Sequence, residues 1–169
     1  MIIFKCILSG DEMFADTFKY KETDDKVFYM VYGSIVTRNE QFDDSLIAAN
    51  ASAEEAVESN DSAVSSGVDI VLNHKLKETS FRKADYVAYL KSYVKAIRAK
   101  LLEESPEKAQ DFEARVKVGV GNIMKDFKDY QFFTGENMDV EGMVGLLNYN
   151  DDDKPYMLFF KDGLLAEKV

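Results

Sequence analysis

Residues 82–128 read RKADYVAYLKSYVKAIRAKLLEESPEKAQDFEARVKVGVGNIMKDFK. Tyr86, Leu90, Tyr93, Val94, Ile97 and Leu101 recur at helical spacing and mark one apolar face of a helix over 82–103. Ser105-Pro106-Glu107 is a second helix start. Serine suits the N-cap, proline the first helical position, and a carboxylate the positive end of the helix dipole. Ala109, Phe112, Val116, Val120, Ile123 and Phe127 then share one side of that second helix. A connection this short makes the two helices an antiparallel hairpin, over about 82–128.

On either side of the hairpin the chain has strand character. IIFKCIL (2–8) is β-branched and aromatic, and Gly10-Asp11 marks a turn. TFKYKE (17–22) alternates, and VFYMVYGSIV (27–36) reads as two strands or one bent at Gly33. These first segments are expected to form an antiparallel meander. GVDIVLNH (67–74) reads as another strand, and YQFFTG (130–135), MVGLLNY (143–149) and PYMLFF (155–160) follow after the hairpin. The fold class expected is α+β, a β-rich core interrupted once by the helical hairpin, in one domain spanning 1–169.

Residues 38–66 differ in kind. Glu40, Asp43, Asp44, Glu54, Glu55, Glu58 and Asp61 face a single basic residue, Arg38. With few apolar anchors, the segment is expected to be a mobile acidic loop, or to carry a short helix over 52–59 opened by Ser52.

Composition narrows the function. The net charge is −10, which disfavours binding to nucleic acid. No apolar run is long enough to insert in a membrane, and Lys5, Asp11 and Glu12 interrupt the start of the chain as a signal peptide. A single cysteine, Cys6, excludes an internal disulfide and suits a reducing compartment such as the cytoplasm. The one histidine, His74, cannot build a metal cluster alone, and a Cys6–His74 dyad lacks a nucleophile elbow. Gly119-Val120-Gly121 lies inside a helical pattern, so it is not a phosphate loop. Catalysis is therefore not expected.

Binding features are more evident. Lys91, Lys95 and Arg98 fall at i, i+4 and i+7 and form a basic stripe. It suits an acidic partner segment, the chain's own acidic loop, or an ordinary solvated face. Calcium prefers oxygen ligands, and Asp43, Asp44, Glu54 and Glu55 supply them, as do Asp151, Asp152 and Asp153, although no EF-hand pattern is present. Asp43-Asp44-Ser45-Leu46 suits an acidophilic kinase acting on Ser45.

DSLIAANASAEE (44–55) and FKDYQFFTGENMDVEGMVGLLNY (127–149) closely resemble the signature segments of the translationally controlled tumour protein family. SGDEMFAD near the start, GVDIVLNHKLKETSF (67–81) and PYMLFFKDGL (155–164) are similar to it as well. The resemblance implies a β-tent core with a projecting helical hairpin and a long mobile loop. It implies a multi-partner cytoplasmic protein that binds calcium and associates with tubulin and microtubules, linked to growth and survival and secreted in some settings without a signal peptide. The tubulin role maps onto Lys91, Lys95 and Arg98, and polo-type phosphorylation onto Ser45. The alternative implied is regulation of a Rheb-type small GTPase, or of elongation-factor nucleotide exchange, through a chaperone-like β surface. That surface maps onto Glu12, Leu72 and Glu136. Elongation factor 1 subunits and anti-apoptotic Bcl-type proteins are further implied partners. Two positions depart from many relatives. Val169 stands where a cysteine would link two chains, and His74 is followed by Lys75 rather than a second histidine.

Overall fold

A computed structural model describes residues 1–39 and 64–169. Within them run β1 (Ile2–Cys6), β2 (Glu12–Ala15), β3 (Tyr20–Glu22), β4 (Phe28–Tyr32), β5 (Ile35–Asn39), β6 (Val64–Val68), α1 (Asp69–His74), β7 (Lys77–Thr79), α2 (Lys83–Glu104), α3 (Pro106–Lys125), β8 (Gln131–Thr134), β9 (Gly145–Tyr149), β10 (Pro155–Phe160) and β11 (Leu164–Lys168). The α+β architecture is that expected, a β-rich core with a helical hairpin.

Among the described residues three sheets form, all from antiparallel pairs. They are ordered β11-β1-β2, β3-β4-β10-β9-β8-β7 and β5-β6. The expected N-terminal meander is corrected here. β2 and β3 lie in different sheets, and β4 pairs with β10 from the far end of the chain rather than with β5. Aromatic packing explains the exchange. Phe14 of β2 stacks on Phe159 of β10 with ring centroids 5.2 Å apart, and on Phe4 at 4.5 Å, which locks the small sheet onto the large one.

The strand expected over 67–74 is also corrected. Its first residues close β6, and Asp69–His74 is a short helix. Asp69 turns the chain: its Oδ1 accepts the N–H groups of Ser34 and Ile70, each at 2.9 Å. Lys75, with φ 54°, ends the helix in the left-handed region. A short apolar run does not distinguish helix from strand, and the Asp69 contact with Ser34, just before β5, decides it. The loop expected over 38–66 is corrected at both ends, because Arg38 and Asn39 pair with Ser65 and Val64, and its residues 40–63 lie outside the described residues. The helix considered over 52–59 lies outside the described residues.

The hairpin follows its sequence pattern. Tyr86, Leu90, Tyr93 and Ile97 of α2 and Ala109, Phe112, Val116 and Ile123 of α3 are buried. Tyr93 meets Phe160 at 5.1 Å and Tyr86 meets Phe132 at 5.0 Å, so α2 rests on the large sheet. Pro106 opens α3 as expected, but the Ser105 hydroxyl makes no capping bond. Phe127 falls in a 3-10 turn just past the helix.

Candidate functional site

The turn between β1 and β2 is built around Gly10, at φ 79°, where L-residues are strained. Its N–H donates to Cys6 O, and the Cys6 N–H donates to Asp11 O, both at 2.8 Å. This folds Asp11 inward, only 5% exposed, and leaves Glu12 outward at the head of β2. Asp11 Oδ1 accepts a bond from Asn137 Nδ2 at 2.5 Å. Asp11 Oδ2 is buried and has no hydrogen-bond partner among the described residues. A side chain at Gly135 would overlap the Asp11 carboxylate, so this glycine lets the 135–144 segment lie against the turn.

Beside this turn sits the end of α1. His74 Nδ1 is 3.8 Å from Glu12 Oε2, beyond hydrogen-bond reach, and the imidazole meets the edge of Phe18 at 5.8 Å. Burial lowers the His74 pKa from its usual value, with the Glu12 carboxylate pulling the other way. Burial thus favours the neutral ring. Lys75 Nζ reaches to 3.9 Å of Glu136 Oε1, a loose and exposed pair that contributes little.

These groups line one polar cleft of about 490 Å³. Glu12 and Glu136, remote in sequence, both border it, with side chains 49% and 58% exposed. Leu72, the third member of the expected set, is half-buried on α1 and lies over Gly67 of β6. It is not among the residues lining the cleft, although Asn73, His74 and Lys75 beside it are. The cleft is thus lined by Asp11, Glu12 and Glu136 and also by Lys5 and Lys75, so its rim carries both signs with one carboxylate in excess.

The basic stripe is placed differently. Lys91 and Lys95 are exposed on α2, whereas Arg98 is half-buried, with Nε 2.7 Å from Glu113 Oε1 on α3. Asp43, Asp44, Ser45, Glu54 and Glu55 lie outside the described residues. Among the described residues no three His, Cys, Asp or Glu side chains converge as metal ligands. Asp151–Asp153 form the β9–β10 turn, where Asn150 Oδ1 accepts the N–H groups of Asp152 and Lys154. Cys6 and His74 have separate neighbours: Cys6 Sγ accepts from the N–H groups of Ser9 and Met143.

Sequence reasoning missed Asp11 and Asn137. The Gly10-Asp11 turn was visible, but its inward direction depends on a contact with a segment far along the chain. Among the described residues no helix is long and apolar enough to cross a membrane.

Residues 1–165 match the family described as Translationally controlled tumour protein. A translationally-controlled tumor protein homolog from Lateolabrax japonicus is 63% identical, over 99% of each chain. The human translationally-controlled tumor protein is 49% identical, again over 99% of each. Among solved structures, the translationally controlled tumor-associated protein p23fyp of Schizosaccharomyces pombe superposes with TM-score 0.82 at 41% identity, covering 100% of both chains. The Caenorhabditis elegans protein superposes with TM-score 0.73 at 29% identity, covering 100% of this chain and 99% of that one. With its sheets, its hairpin and its full-length relatives all in agreement, the chain belongs to the translationally controlled tumour protein family.

Proposed function

We propose that this chain works by binding rather than by catalysis, and that its polar cleft receives a small GTPase of the Rheb type. The observation that carries this reading is the meeting of Glu12 and Glu136 across one cleft. Asp11, Glu12 and Glu136 outnumber Lys5 and Lys75 around the depression, and this excess of negative charge favours a basic surface. His74, packed on Phe18, borders the Glu12 side of the cleft. Titration calorimetry with a Rheb-type GTPase tests this. Glu12→Val and Glu136→Ala are each expected to lower affinity about tenfold or more, in the range of an interface hot spot, with the circular dichroism spectrum unchanged. Equal affinity in all three proteins overturns it.

A second reading, tubulin association through α2, is favoured by the exposure of Lys91 and Lys95 one helical turn apart. Reversing the charge of Lys91 and Lys95 is expected to abolish co-sedimentation with microtubules, and wild-type binding to fall steeply with salt. Binding that ignores salt refutes it. Calcium held by the acidic segment, elongation factor 1 subunits, Bcl-type partners and a cytoplasmic location belong to the same proposal and rest on family membership alone.

A further inference from the structure

A second depression is separate from the polar cleft. It is a groove of about 700 Å³ between α2 and the segment 135–144. Its floor is apolar, with Leu8, Phe81, Tyr89 and Val144. One wall is α2, where Ala88, Ser92 and Ala96 recur one turn apart and leave room along about 12 Å of helix. The opposite lip carries Asp139, Val140 and Glu141.

Three properties make this groove a binding site of defined chemistry. Every charged residue lining it is acidic, namely Asp139 and Glu141. The lip is preformed, because Tyr89 Oη donates to Gly142 O at 2.8 Å and accepts the Val144 N–H at 3.0 Å. Asp139 Oδ1 accepts the Glu141 N–H at 2.9 Å, and the Gly142 N–H donates to Asp139 O, so the acidic turn is fixed as well. A ligand therefore incurs little cost in ordering the protein. Val140 is an apolar side chain at the rim, 84% exposed.

We propose that the groove docks an extended segment of a partner protein that places a Phe or Leu side chain on the Tyr89–Phe81 floor and a neighbouring Lys or Arg against Asp139 and Glu141. The length available holds about three to four extended residues. Aromatic anchors in desolvated pockets ringed by charge carry most of the energy in such interfaces. The groove differs from the polar cleft in chemistry, because the cleft offers no apolar floor for an anchor, but both share the 135–144 segment.

The test is selection of random heptapeptides displayed on phage against the full chain, after depletion on its Ser92→Leu variant. Ser92 is exposed on α2, so leucine fills the groove and also favours helix. Ala88→Leu is the second blocking variant. The expected peptides pair Phe or Leu with Lys or Arg within two positions. They perturb the amide signals of Ala88–Ala96 and Val140–Glu141. They lose about tenfold in affinity to the Asp139→Asn/Glu141→Gln protein, the loss expected of a hot-spot contact. Asparagine at 139 keeps the oxygen that accepts the Glu141 N–H. The proposal is overturned if no peptide survives depletion, if the consensus lacks a basic residue, or if the signals that move are those of Glu12, His74 and Glu136. The last outcome assigns the peptides to the polar cleft, and the calorimetry above stands or falls independently of it.

Discussion

Two glycines of α3 lie two positions apart and should respond to the same substitution with opposite signs. A Cβ on Gly121 would meet nothing within 4 Å. Gly121→Ala therefore gains the helix propensity of alanine, about 0.8–1 kcal/mol, without a packing cost. A Cβ on Gly119 would lie 2.8 Å from Val27 Cγ2 and 2.9 Å from its Cβ. Val27 is fully buried and β-branched, so it cannot swing aside. Gly119→Ala has the same propensity gain, but α3 must lift from the β3–β4 turn, at about 1–3 kcal/mol for overpacking. The net is a loss of about 0–2 kcal/mol. Urea unfolding of the three proteins by circular dichroism reads this directly. Each kcal/mol shifts the melting temperature of a chain this size by about 2–4 °C. If both variants gain stability equally, the close contact of α3 with Val27 is wrong, and with it the seating of the hairpin.

Asn137→Ala removes the amide that bonds the buried Asp11 carboxylate and should cost about 1.5–3 kcal/mol, with Asn137→Asp costing more through repulsion; equal urea midpoints for the two variants would refute the contact. Tyr89→Phe strips the partner from the Val144 N–H and should cost about 1–3 kcal/mol, seen in thermal melts, with faster amide exchange over 138–144. The His74 pKa is lowered by burial, so the unfolded chain takes up a proton first as pH falls below about 6.5. Stability that is full above that pH should decline toward the lower folded pKa, and the difference between wild type and His74→Gln in urea midpoints at pH 7.5 and 5.5 should isolate it.

The helical hairpin was legible because its information is local. Tyr86 through Ile97 keep a helical period, and Pro106 punctuates the break. Strand existence was legible too, at 131–134 and 155–160. Strand order was not. The pairing of Ile3 with Glu167, or of Tyr29 with Phe159, leaves no mark on either short segment. The error at 69–74 has the same origin. Asp-Ile-Val-Leu suits a buried strand by composition, and only the bond from Ser34 N–H to Asp69 reveals that the chain turns into a helix.

The site divides along the same line. Glu12 and Glu136 were identified through resemblance, yet nothing local shows that they face one cleft. That follows from the Asn137–Asp11 bond and the close approach of the Asp11 carboxylate to Gly135. Arg98 illustrates the opposite case. Its spacing placed it in a solvated stripe, but an interhelical pair with Glu113 occupies it. Charge reversal at Arg98 alone should therefore disturb the hairpin before it disturbs any partner. Lys91 and Lys95, which have no such tether among the described salt bridges, are the informative positions for partner binding. The segment 135–144 is the common element. Glu136 faces the polar cleft and Glu141 the apolar groove, and Tyr89 and Asp11 hold it from opposite ends. A substitution that loosens it at either anchor should weaken binding at both faces, whereas one that alters only a lip residue should affect a single face.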